Sequence, residues 1–295
     1  MKRYALGLYE KAMPSVLTWE EKLETAKDAG YDFLEISIDE SDEKISRLYM
    51  SREELIRLRH TIEAVGLPIE TMCLSAHRKY SMGSSEEKRA FYGMEIMERA
   101  IGFAEELGIR IIQLAGYDVY YEESTPQTVR RFEENLRRAA EMAARSGILL
   151  GFETMETEFM NTVGKAMKYV NAMNSPYLNV YPDVGNITNA TCRYCIDLGE
   201  DIEKGTGRII AVHLKETRPG VFREVPFGEG HVDFERAIAL MWKAGVRRYV
   251  VEFWYVGNAG WKEILIQNRS RLGKLLDAEA SYTAPPALSS VAGFA

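Results

Sequence analysis

The sequence predicts a single (β/α)8 barrel, and three observations carry that expectation. Eight short apolar runs alternate with eight amphipathic stretches along the 295-residue chain. No change of composition divides it, and about 250 residues or somewhat more suits one such barrel. The segment Gly7-Leu-Tyr-Glu-Lys-Ala, where the first strand ends, lacks the glycine-rich phosphate turn expected of a doubly wound open sheet.

The elements follow in strict order. A strand over 4–9 leads to a helical pattern over 18–29, opened by Thr18-Trp-Glu-Glu. A strand over 33–38 leads to a helix over 51–65, opened by Ser51-Arg-Glu-Glu. Both openings read as capping boxes, a hydroxyl cap with Glu three residues on. The remaining pairs are 69–74 with 85–107, 109–114 with 126–146, 148–152 with 162–173, 178–181 with 193–204, 209–214 with 233–244, and 249–253 with 261–276. The strand candidates are short and rich in Ile, Val, Leu and aromatics, as strands buried on both faces should be. Gly30, Gly66, Gly108, Gly147 and Gly245 stand just after helices, where a left-handed cap is wanted. The barrel should span 1–278. Residues 279–295, small, Pro-containing and largely uncharged, read as a mobile tail or one that docks on a partner subunit.

Composition narrows the function. Acidic side chains outnumber basic ones 44 to 37, a net charge of −7, which argues against nucleic acid and anionic membranes. No run approaches the ~20 apolar residues of a membrane span, and the N-terminus has no signal-peptide pattern. A soluble, cytoplasmic protein is expected. Cys73, Cys192 and Cys195 are sparse and odd in number, so they read as free thiols and the lone Cys192-x-x-Cys195 as incidental.

The chemistry gathers at the ends of the last four strands, where Glu153, Asp183, His213 and Glu252 stand about one strand–helix unit apart. In a parallel barrel those ends meet at one mouth. Three carboxylates crowded there repel one another unless a cation neutralises them. Ligands of this type, without cysteine, suit one divalent ion, Zn2+ or Mn2+ first, with Co2+ or Mg2+ behind. No redox or other organic cofactor is signalled.

At these residues the chain resembles the xylose-isomerase-like metal TIM barrels, and within them the L-ribulose-5-phosphate 3-epimerase (L-xylulose-5-phosphate 3-epimerase) family. The resemblance runs from the first strand to about Leu276. It rests on Met72-Cys-Leu-Ser-Ala-His-Arg-Lys79, Tyr181-Pro-Asp-Val-Gly-Asn186, His213-Leu-Lys-Glu-Thr217 and Pro226-Phe-Gly-Glu-Gly-His-Val-Asp-Phe234. It implies that Glu153, Asp183, His213 and Glu252 hold one metal, that Glu153 and Glu252 are the acid/base pair, and that the protein is a homodimer. The implied reaction interconverts L-xylulose 5-phosphate and L-ribulose 5-phosphate. A proton leaves C3 on one face of a cis-enediolate and returns on the other, so one carboxylate is needed on each face.

A sugar phosphate also needs a local cationic or amide-rich pocket. Candidates for substrate contact are Ser75, His77, Arg78, Lys79, Asn186, Lys215, Arg218 and Glu158, with the amides of Gly228-Glu-Gly230. Glu35 can orient a basic neighbour, while Tyr117, Tyr120 and Tyr121 can shape the pocket wall; His60 and His231 read as structural or surface residues. The rivals are a 3-epimerase of free ketoses, an aldose–ketose isomerase, a non-catalytic sugar-phosphate sensor and an endonuclease of abasic DNA. Four histidines and the acidic charge fit the last poorly.

Overall fold

The computed structural model describes residues 2–282. Eight parallel strands form one sheet: β1 (Ala5–Tyr9), β2 (Phe33–Ile38), β3 (Ile69–Leu74), β4 (Ile111–Ala115), β5 (Leu149–Glu153), β6 (Leu178–Val180), β7 (Val212–Leu214) and β8 (Arg248–Val251). Their order is β6-β5-β4-β3-β2-β1-β8-β7. Isolated parallel bridges Val180↔Ile209 and Asp183↔His213 close the seam between β6 and β7 into a barrel. Those two strands are shorter than the apolar runs 178–181 and 209–214, because at the seam the ladder is reduced to such bridges.

The helices are α1 (Trp19–Asp28), α2 (Asp42–Ser46), α3 (Arg52–Val65), α4 (Glu87–Leu107), α5 (Pro126–Ser146), α6 (Val163–Met173), α7 (Val184–Tyr194), α8 (Leu198–Glu203), α9 (Phe234–Lys243) and α10 (Trp261–Tyr282). Both expected capping boxes form, at Thr18 and Ser51. Gly66, Gly108 and Gly147 close their helices at positive φ. The helix expected over 193–204 is two helices. The Asp183 carboxylate accepts from Asn186 N–H and starts α7 directly after the sixth strand, Cys195 ends it in the left-handed conformation, and Asp197 caps α8. Residues 279–282, expected to belong to the tail, lie instead in α10. Arg3 donates to the Ala280 carbonyl and Tyr4 to Asp277, holding the last turns of α10 through Tyr282. Residues 283–295 of that tail lie outside the described residues.

Alternation along the strands sorts the barrel lumen by polarity. Phe33, Cys73, Ile111, Tyr181, Ala211 and Val250 pack one apolar cluster inside it. Phe33 fills this floor because Gly7 lies under it: a Cβ at Gly7 would sit 2.3 Å from the ring. Two residues further along β2 and β4, toward the C-terminal mouth, the chain places Glu35 and Gln113, both fully buried. No helix among the described residues is long and apolar enough to cross a membrane.

Candidate active site

Glu153 ends β5, Asp183 and His213 are paired across the seam, and Glu252 follows β8. All four are buried, and one ligand atom from each lies within 4.8 Å of the others. His213 Nδ1 is 2.9 Å from Glu252 Oε2 and 3.4 Å from Glu153 Oε1. The imidazole is held from behind: Nε2 meets Glu35 Oε1 at 2.6 Å. Tyr181 and Thr71 hydroxyls donate to the other Glu35 oxygen at 2.8 and 2.7 Å. With Nε2 engaged as the donor, Nδ1 is left to face the three carboxylates. Glu153 is held in turn by the Gln113 side-chain amide.

The donors suit a divalent cation on their own geometry. His213 Nδ1, Asp183 Oδ2 and Glu252 Oε2 are buried and make no well-directed hydrogen bond, although they converge on one point. The cluster's field asks for positive charge. Burial, with Glu252 and Glu153 alongside, pushes the Asp183 carboxyl up to about 8 against the pull of Lys215. Burial opposes charge on His213, yet Glu35 and Glu252 hold its imidazole well above the usual range. Lys215 is buried too, its Nζ 2.6 Å from Asp183 Oδ2 and 3.9 Å from Glu252 Oε2.

Above the cluster opens a cavity of about 440 Å3. Of the residues expected to touch substrate, Ser75, Arg78, Lys79, Asn186 and Lys215 line it with Glu153 and Glu252. Asn186 is held with its acceptor inward: Nδ2 donates to the Thr154 carbonyl at 2.7 Å, and Oδ1 is buried without a partner.

Three expected contacts are not at this cavity. His77 lies on the 3-10 turn after β3, with its ring turned into the core and Nε2 3.0 Å from the Gly93 carbonyl. Arg218 is drawn outward to Glu229, and Glu158 is exposed and paired with Arg193. The Gly228 loop is also committed, since Glu216 Oε2 takes the Gly228 N–H at 3.0 Å and Pro226 the Glu229 N–H. The carboxylate that does line the cavity after β5 is Glu156. It accepts from Tyr117 at 2.8 Å and Tyr120 at 3.2 Å, while Tyr121 donates to Glu40. Lys11, Arg223 and Trp254, which also line the cavity, carry no motif; Lys11 sits on the 3-10 turn after β1 and the other two on separate loops.

A closed parallel barrel with three acids and one histidine at its C-terminal mouth defines a class, the xylose isomerase-like TIM barrels. That family's model matches residues 23–274. The chain is 45% identical over 254 residues to the L-ribulose-5-phosphate 3-epimerase UlaE of Escherichia coli, covering 86% of this chain and 88% of the relative. The corresponding protein of Shigella sonnei matches equally. Among solved structures, an L-ribulose 3-epimerase superposes with a TM-score of 0.77 at 17% identity, covering 97% of this chain and all of that one. The chain belongs to the L-ribulose-5-phosphate 3-epimerase family of carbohydrate isomerases.

Proposed function

We propose that this protein is a metal-dependent 3-epimerase of ketopentose 5-phosphates, interconverting L-xylulose 5-phosphate and L-ribulose 5-phosphate. One observation carries the reading: two buried carboxylates, from β5 and from the end of β8, line one cavity beside a ligand set suited to a divalent ion. Glu153, Asp183, His213 and Glu252 would hold that ion, Zn2+ or Mn2+ first. When bound, it supplies Lewis acidity toward O2 and O3 of the ketose.

The chain's own residues do the rest. One of Glu153 and Glu252 takes the C3 proton and the other returns a proton to the opposite face, so both must stay aimed at C3. The Gln113 amide fixes Glu153 for this task. Asn186 Oδ1 accepts from a sugar hydroxyl, since its amide is already oriented by Thr154. The Lys215 ammonium, beside Glu252, offsets negative charge developing on the ketose oxygen during proton removal. Ser75, Arg78 and Lys79 hold the phosphate end, with Arg78 stacked 4.9 Å from the Tyr120 ring centroid. The enzyme acts as a soluble cytoplasmic homodimer, a state that light scattering checks.

The test is solvent exchange. The metal-loaded protein incubated with L-xylulose 5-phosphate in D2O should place deuterium at C3 while L-ribulose 5-phosphate accumulates. No exchange with any divalent metal would overturn the reading. Faster turnover of the free ketoses than of their phosphates would transfer it to a free-sugar epimerase. Glu153→Gln and Glu252→Gln should each cost about 10²–10⁴ in kcat, the span of a lost acid/base group.

A further inference from the structure

Beside the mouth, outside the metal ligands, the fold buries a second charged cluster whose charges do not balance. Glu10 follows β1 and is buried. Lys44 Nζ reaches its Oε1 at 2.6 Å and Lys22 Nζ reaches the same oxygen at 3.2 Å. Arg47 meets Oε2 at 2.6 Å, where Ser37 N–H also donates. Three cations thus face one carboxylate, and each of the four side chains is at most 10% exposed. Lys22 and Arg47 also crowd one indole, 5.1 and 4.6 Å from the Trp19 ring centroid.

Buried charge needs a partner, and the cluster leaves two positive charges over. Lys22 and Lys44 line a cavity of about 290 Å3, floored by Glu10 and bordered by Ser15 and Ser41. Its other acids are Asp39, which Lys11 already pairs, and Glu43, exposed at the rim. Burial, with the Arg47 and Lys22 charges behind it, pulls the Lys44 ammonium below the usual lysine range despite Glu10. That ammonium is short of negative charge.

We propose that this cavity is an oxyanion site, taking a phosphate or sulfate group on Lys22 and Lys44 with Arg47 behind them. An oxyanion brings the charge the cluster lacks and acceptor oxygens for its ammonium groups. The cavity shares Lys11, Asp39, Ser41 and Trp254 with the main one. With the sugar's phosphate assigned to Ser75, Arg78 and Lys79 in the main cavity, the ligand here is a separate, free inorganic oxyanion.

Calorimetric titration of inorganic phosphate into the intact protein tests the site. A saturable binding event is expected that is weakened about tenfold or more in Lys22→Met and in Lys44→Met, each checked for folding by circular dichroism, and that persists in Arg78→Met, where phosphate binding at the sugar-phosphate end of the main cavity is removed. Absence of saturable binding, or binding lost in Arg78→Met and kept in both lysine variants, would overturn the proposal. Adding a ketopentose 5-phosphate checks that the two cavities act separately. Independent binding of both ligands is expected, and mutual displacement that is lost in the lysine variants would overturn the proposal of a separate site.

Discussion

The orientation of one imidazole decides what the barrel mouth can bind. His213 offers Nδ1 to three carboxylates because Glu35 occupies Nε2, and Glu35 is itself fixed by Tyr181 and Thr71. Glu35→Gln should lower Mn2+ affinity about 10–100-fold, as loss of a ligand's supporting partner does elsewhere. Calorimetry checks this, with little change expected in thermal stability measured at saturating metal. His77 gives an opposite lesson. Burial lowers its pKa to about 4, so it stays neutral in the fold while the unfolded chain protonates near 6.5. Its share of stability is present above that value and is lost as pH falls toward 4, amounting to about 3 kcal/mol at 1.36 kcal/mol per unit. His77→Asn or His77→Gln should flatten that part of the stability–pH curve, read by urea unfolding between pH 4 and 7. The four clustered residues of the proposed metal site were legible because their residue types stand at strand ends. His77 was not, since a histidine after a strand reads the same whether its ring faces the cavity or the core.

At the scale of elements, the loops after the strands decide both the site and its surprises. Asp183 belongs to the proposed ligand set and also caps a helix, which is why α7 starts earlier than the apolar pattern indicates. Glu156 and Arg223 reach the cavity from loops and Lys11 from the short 3-10 turn after β1, all without periodicity, so no spacing argument finds them. The Glu10 cluster pins the end of β1 to α1, α2 and the turn after it. Burial opposes its ionisation, but Arg47, Lys44 and Lys22 hold the Glu10 carboxyl down at about 2, against an ordinary 4.5. Its stabilisation is therefore complete above about pH 4.5 and is lost as pH falls through 2. Glu10→Gln should cost about 3–5 kcal/mol at neutral pH, because it leaves buried cations uncompensated. Denaturant unfolding measures that loss, which should shrink at the acid end of the range.

The whole molecule was the most legible level, since eight alternations of short apolar strand and amphipathic helix leave few topologies open. What sequence could not show was how unevenly the barrel is closed. Neighbouring strands elsewhere share ladders of three or more residue pairs, whereas among the described residues the seam between β6 and β7 is bridged only at Val180↔Ile209 and Asp183↔His213. The second of these bridges joins two of the expected metal ligands. An ion held there acts as a rivet across the one weakly stitched line of the wall, tying catalytic competence to the mechanical integrity of the barrel. Chelation should then loosen the molecule along that line first. Hydrogen exchange should rise at 178–183 and 209–214 well before it rises in β2 and β3, and the barrel should unzip from its seam.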